Sequence, residues 1–128
     1  MGLNLNNVIY PQESYNIIGA AMKVHSEPGP GFTEKVYQDA LEIELLERNI
    51  PFRREVELHA CYKNNTLNST FIPDFICYDK IIVELKAVTE LNDIHRSQAM
   101  NYAKVAGMRL ALLINFGESS LTNERFAV

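Results

Sequence analysis

The chain has 128 residues, 47% of them hydrophobic and 22% charged, a composition that buries a core and excludes disordered, collagen-like and supercharged chains. Twelve basic residues against 16 acidic leave a net charge of −4, so no global attraction draws the chain to a polyanion and a nucleic-acid partner must be held locally. No apolar run approaches the roughly 18 residues of a membrane-spanning helix. The opening MGLNLNNVIY lacks a charged stretch leading into an apolar core, and Asn6 stands where a myristoylation signal beginning at Gly2 needs Ser or Thr. The two cysteines, Cys61 and Cys77, form neither a CxxC pair nor a disulfide scaffold. These features predict a cytoplasmic protein with no membrane partner.

The absence of repeats, low-complexity tracts and Gly/Ser linkers predicts a single domain over 1–128. After Pro11, Tyr15, Ile18, Met22 and His25 recur at helical spacing until EPGPG stops the pattern. Thr33 caps a second helix with an apolar stripe of Val36, Tyr37, Ala40, Leu41 and Leu45, ended by Asn49 and Pro51. From Phe52 the period changes to two, with Val56, Leu58, Ala60 and Tyr62 alternating against Glu55, Glu57, His59 and Cys61. A turn at 63–66, an extended segment over 67–78, a turn at Asp79 and Lys80 and a strand over 81–88 complete a predicted meander of three strands. Leu91, Ile94, Gln98, Tyr102 and Val105 mark one face of a third helix ending near Gly107, and 110–116 reads as a buried strand. The order is ααβββαβ, an α/β fold whose last strand lies parallel to a central one through the helical crossover.

Glu84 and Lys86 stand two apart on the predicted third strand and share one side of it, while Ile81, Val83, Leu85 and Ala87 fill the other. Asp74 follows Pro73 on the neighbouring strand, so its carboxylate approaches that of Glu84 when the register permits. Two adjacent carboxylates repel unless a cation sits between them, and hard divalent ions supply that charge while binding phosphate oxygens. A plainer alternative makes Ile82, Glu84 and Lys86 the solvated face of an edge strand, with a weak surface ion pair. Gln98 lies within an apolar stripe where a buried amide needs a partner, and Glu34 sits in a first turn where the helix dipole favours an acid.

PD at 73–74 with ELK at 84–86 resembles the signature of the PD-(D/E)xK, restriction-endonuclease-like nucleases, and Gln98 with Tyr102 is similar to their QxxxY element. VHSEPGPGFTEKVY, residues 24–37, resembles the hallmark of the GxxExxY protein family through Gly31, Glu34 and Tyr37. Segments at 44–46, 83–88, 94–102 and 112–117 extend the resemblance along nearly the whole chain. It implies a restriction-endonuclease-like mixed sheet flanked by helices, with Asp74, Glu84, the Leu85 carbonyl and Glu34 around Mg²⁺ or Mn²⁺. It further implies that Lys86 positions the attacking water and that Gln98 supports a ligand or touches phosphate.

The leading reading is therefore a nuclease acting on DNA or RNA, and the alternative a non-catalytic module on the same fold that binds nucleic acid or protein. The candidate phosphate contacts Arg53, Arg54, Lys63, Arg96, Lys104 and Arg109 are scattered in sequence, and helix two is acidic. A homodimer or a protein partner contributing basic surface follows as an expectation. His25 reads as a hydrogen-bonded core histidine, and the three histidines are too far apart for a local zinc motif.

Overall fold

A computed structural model describes residues 8–128, so the reading of Gly2 and Asn6 lies outside the described residues. In chain order the elements are α1 (Pro11–Ser26), α2 (Glu34–Glu47), β1 (Phe52–Arg54), β2 (Leu58–Tyr62), β3 (Asn65–Phe71), β4 (Phe75–Cys77), β5 (Ile81–Lys86), α3 (Asp93–Ala106), β6 (Leu110–Asn115) and β7 (Thr122–Ala127). Five strands form one mixed sheet in the order β1-β4-β5-β6-β7, and β2 pairs only with β3. β5 and β6 are parallel through α3, and the other neighbours in the large sheet are antiparallel. The fold is restriction-endonuclease-like, a mixed sheet flanked by helices.

The expected meander is corrected in three ways. The stretch from Phe52 splits into β1 in the large sheet and β2 in a separate ribbon. The segment over 67–78 breaks at Pro73, which carries no N–H for a ladder, so β3 and β4 belong to different sheets. β7, with alternating half-buried and exposed residues, is an additional strand that closes the edge beyond β6.

Both faces of the sheet are covered. Ile17, Ala20, Ala21 and Val24 of α1 and Tyr37, Leu41 and Leu45 of α2 pack with Ile81, Val83, Leu85, Leu110, Leu112 and Ile114. On the opposite face Leu91, Ala99 and Ala103 pack with Ile76, Ile82, Ala111 and Leu113. The helices are therefore rotated from the expected stripes. Tyr15 is 75% exposed, Met22 58% and Ile94 78%, whereas the alanines face inward. A helix lying on a sheet approaches most closely through small side chains, so shape overrides hydropathy in choosing the face. α3 starts in a reciprocal capping box between Asn92 and His95 and ends at Gly107 with φ 71.

Candidate active site

β5 is central, flanked by β4 and β6, and Glu84 is only 5% exposed, so the edge-strand alternative is excluded. β4 pairs with β5 through Phe75 opposite Val83, and continuing that antiparallel register brings Asp74 opposite Glu84. The two acids are clasped through the backbone. Asp74 Oδ2 accepts from the Leu85 N–H at 2.7 Å, and Glu84 Oε1 accepts from the Asp74 N–H at 3.2 Å.

These bonds do not offset the loss of water. Burial, followed by the charge of Asp74, pushes the Glu84 carboxyl up to about 9. Burial likewise raises Asp74 against the pull of the Leu85 N–H, and Glu34 adds to the rise. The pair thus holds a proton near neutrality where two charges would repel. A carboxylate pair in this state, beside the backbone of Leu85, suits a divalent cation that takes one or two carboxylates and completes its shell with water. Among the described residues no group of three His, Cys, Asp or Glu side chains converges to hold an ion by itself.

Glu34 and Lys86 meet from different elements, with Lys86 Nζ 3.9 Å from Glu34 Oε1. Glu34 opens α2 because the preceding loop is fixed in shape. Gly31 has φ 113, a conformation that excludes most side chains. The fully buried Tyr37 donates its hydroxyl to the Gly29 carbonyl at 2.5 Å, accepts from the Phe32 N–H at 3.3 Å and stacks on Phe116 at 4.7 Å. Tyr37 thus ties the loop that presents Glu34. His25, also buried, bonds through Nε2 to the Glu118 carbonyl at 2.9 Å, as expected of a core histidine.

Gln98 is half-buried and donates to the Tyr102 hydroxyl at 3.1 Å. Tyr102 is raised by burial and by the charge of Glu84, and it packs on Phe71 at 4.6 Å, so the Gln98–Tyr102 pair borders the acids without bonding to them.

Sequence reasoning missed Gln38, which follows Glu34 by one helical turn and is only 5% exposed. Its Oε1 accepts from Arg54 at 2.9 Å and its Nε2 points to Asp74 Oδ1 at 3.4 Å. Arg54 also pairs with Asp39 and Glu42, so it fixes the amide orientation that aims Nε2 at Asp74. The available signal was the i, i+4 spacing from Glu34 on a helix that otherwise reads as acidic surface.

No curated protein matches the chain. A solved crystal structure of SSO0001 is similar over 92% of this chain with a TM-score of 0.59 and 17% identity, and the chain spans 59% of that protein's length. At that identity the likeness concerns the fold. A family model of the PD-(D/E)XK nuclease superfamily matches residues 11–126, from the first residue of α1 to the penultimate residue of β7, and so spans α1, α2, α3 and β1 to β6 in full. The acid pair, where the entry to β4 faces Glu84 of β5, therefore sits on a family-wide frame, and the chain belongs to the PD-(D/E)XK nuclease superfamily.

Proposed function

We propose that the protein is a divalent-metal-dependent nuclease that hydrolyses phosphodiester bonds of DNA or RNA, within the GxxExxY branch of its superfamily. The observation that carries this reading is the buried carboxylate pair, in which Glu84 retains a proton that a cation would displace. PD-(D/E)XK nucleases generally use divalent metals, and Asp74, Glu84 and the Leu85 carbonyl are the residues that would hold Mg²⁺ or Mn²⁺ here. When bound there, such an ion would supply Lewis-acid polarisation of a phosphoryl oxygen and a more acidic bound water. Lys86 stabilises the negative charge that develops on the phosphoryl oxygens and orients the attacking water. Glu34, within reach of Lys86, keeps that ammonium in place and orients further water. Gln98 supports the phosphate side of the site. The exposed Cys61 and the buried Cys77, whose thiol burial pushes up to about 12, have no part in the chemistry.

The reading is tested by titrating Mg²⁺ and Mn²⁺ while following amide shifts, with DNA and RNA cleavage assayed alongside. Wild type is expected to show saturable shifts at Glu34, Asp74 and 84–86 together with cleavage, and Asp74→Asn/Glu84→Gln neither. A folded protein with no saturable site at millimolar metal would move the reading to a non-catalytic binding module.

Gln38 acts as a positioning residue for Asp74. Gln38→Met keeps the volume but removes both polar contacts, and metal affinity is expected to fall about 10- to 100-fold in the same titration. A titration curve superimposable on wild type would remove Gln38 from this role.

A further inference from the structure

The two longest acid-free segments of this acidic chain are 58–73 and 94–117, and between them they carry Lys63, Arg96, Lys104 and Arg109. All 16 acids lie outside them. The fold brings the two segments together. β2 lies against α3, and Phe71 at the end of β3 packs on Tyr102 of α3 with ring centroids 4.6 Å apart. From that junction the β2–β3 ribbon extends with every residue from Cys61 to Thr70 exposed. Its tip is a two-residue turn at Lys63 and Asn64, both at positive φ, with the Lys63 ammonium 5.5 Å from the Tyr62 ring centroid. The rest of the ribbon offers Asn65, Thr66, Asn68, Ser69 and Thr70, neutral donors and acceptors suited to phosphates and base edges.

The outward side of α3 continues this surface. A shallow groove of about 490 Å³ runs along Ile94, Ser97, Gln98, Asn101 and Tyr102. Its rim acid, Asp93, is held by Arg96 at 2.9 Å, which also pairs with Glu124 of β7 at 3.0 Å, so the cation this face offers to a phosphate is Lys104, exposed one turn beyond the groove. The ribbon leads directly to the acid pair, since Asp74 follows Phe71 by three residues, and Tyr102 of α3 is joined to that same stretch by its packing on Phe71.

We propose that the β2–β3 ribbon and the outward face of α3 form the surface that grips duplex DNA and lays one strand across Asp74 and Glu84; what happens to that strand rests on the nuclease reading. A two-stranded ribbon enters the major groove of B-form DNA, whereas the major groove of A-form RNA is too deep and narrow for side-chain readout. Single strands are held by aromatics at successive bases, and the ribbon carries one strongly exposed aromatic, Tyr62.

The test is fluorescence anisotropy of a labelled DNA duplex in EDTA across a salt series, for wild type, Lys63→Ala, Lys104→Ala and, from the α1 surface, Lys23→Ala. The first two are expected to weaken binding several-fold and to lower the salt slope by about 1 each, with Lys23→Ala unchanged. All three are exposed positions, and thermal melts check that the fold persists. Wild-type affinity in both Lys63→Ala and Lys104→Ala, no duplex binding by wild type, or tighter binding of single-stranded DNA or duplex RNA would each overturn the proposal. The two readings fail separately. Duplex binding lost in the lysine variants without metal-dependent cleavage by wild type would sink the nuclease and keep the surface. Cleavage that both lysine variants perform at wild-type affinity would keep the nuclease and sink the surface.

Discussion

Replacing Glu84 by Gln is expected to raise the thermal stability of the metal-free protein while reducing metal-dependent cleavage by at least about 1000-fold. The second effect corresponds to the several kcal/mol a metal-assisted step loses with a ligand. The first follows from burial. An unfolded glutamate ionises near 4.5, whereas Glu84 in the fold keeps its proton up to about 9. Between those values the native state binds more protons than the unfolded chain, so stability falls as pH rises, by up to about 1.4 kcal/mol per pH unit. The contribution is complete below about pH 4.5 and is lost as pH passes through the folded value. Asp74 titrates with Glu84, so the slope belongs to the pair. A glutamine side chain at this position has nearly the same shape and no charge to bury, and the variant should lose most of this dependence. Denaturant melts at about pH 5, 7 and 9 check it. Equal pH slopes in wild type and Glu84→Gln would remove burial as the source of the raised carboxyl. Saturating Mg²⁺ or Mn²⁺ should flatten the wild-type slope, since a cation replaces the proton.

Gly117→Ala is expected to destabilise the protein by more than about 3 kcal/mol, an effect of the size seen when backbone, rather than a side chain, has to move. A Cβ at Gly117 would lie 2.2 Å from the Val88 carbonyl oxygen and 2.4 Å from its nitrogen. These atoms cannot swing aside, because Asn115 holds them. Its Oδ1 accepts from the Val88 and Gly117 N–H groups, and its Nδ2 donates to the Val88 carbonyl at 2.9 Å. Asn115 is fully buried, so separating the segments also strands its amide. Val88 follows Lys86 by two residues, and the damage therefore reaches the end of β5 that carries the site. Gly29→Ala is the contrast. Its Cβ meets nothing within 4 Å, and only the φ of 67 opposes it, at about 1 kcal/mol. Urea midpoints for the two variants separate the cases. A loss below about 1 kcal/mol at Gly117 would mean that the exits of β5 and β6 part easily.

Much of the frame was legible because its signals are local. Pro11, Gly107 and the apolar runs of β5 and β6 each read correctly from neighbours in sequence, and the parallel β5–β6 pair follows from a helix lying between two strands. Asp74, Glu84 and Lys86 carry their pattern in residue type and spacing alone. The inward faces of α1 and α3 were not legible, because apolar residues surround both helices and only the fit of alanines against the sheet selects a side. Nor was the separation of β2–β3 from the large sheet, since alternation reports a half-buried strand without naming its partner.

The sequence by itself determined which residue types stand at which spacing: the acid pair, its lysine, and the strands and helices that carry them. Tertiary structure alone decided that Glu84 is buried and keeps its proton, that Gln38 is turned toward Asp74 by Arg54, and that two acid-free segments form one surface. The reason is physical. Spacing fixes which side chains share a face, but desolvation, amide orientation and the summing of scattered charge depend on what other parts of the chain bring into contact.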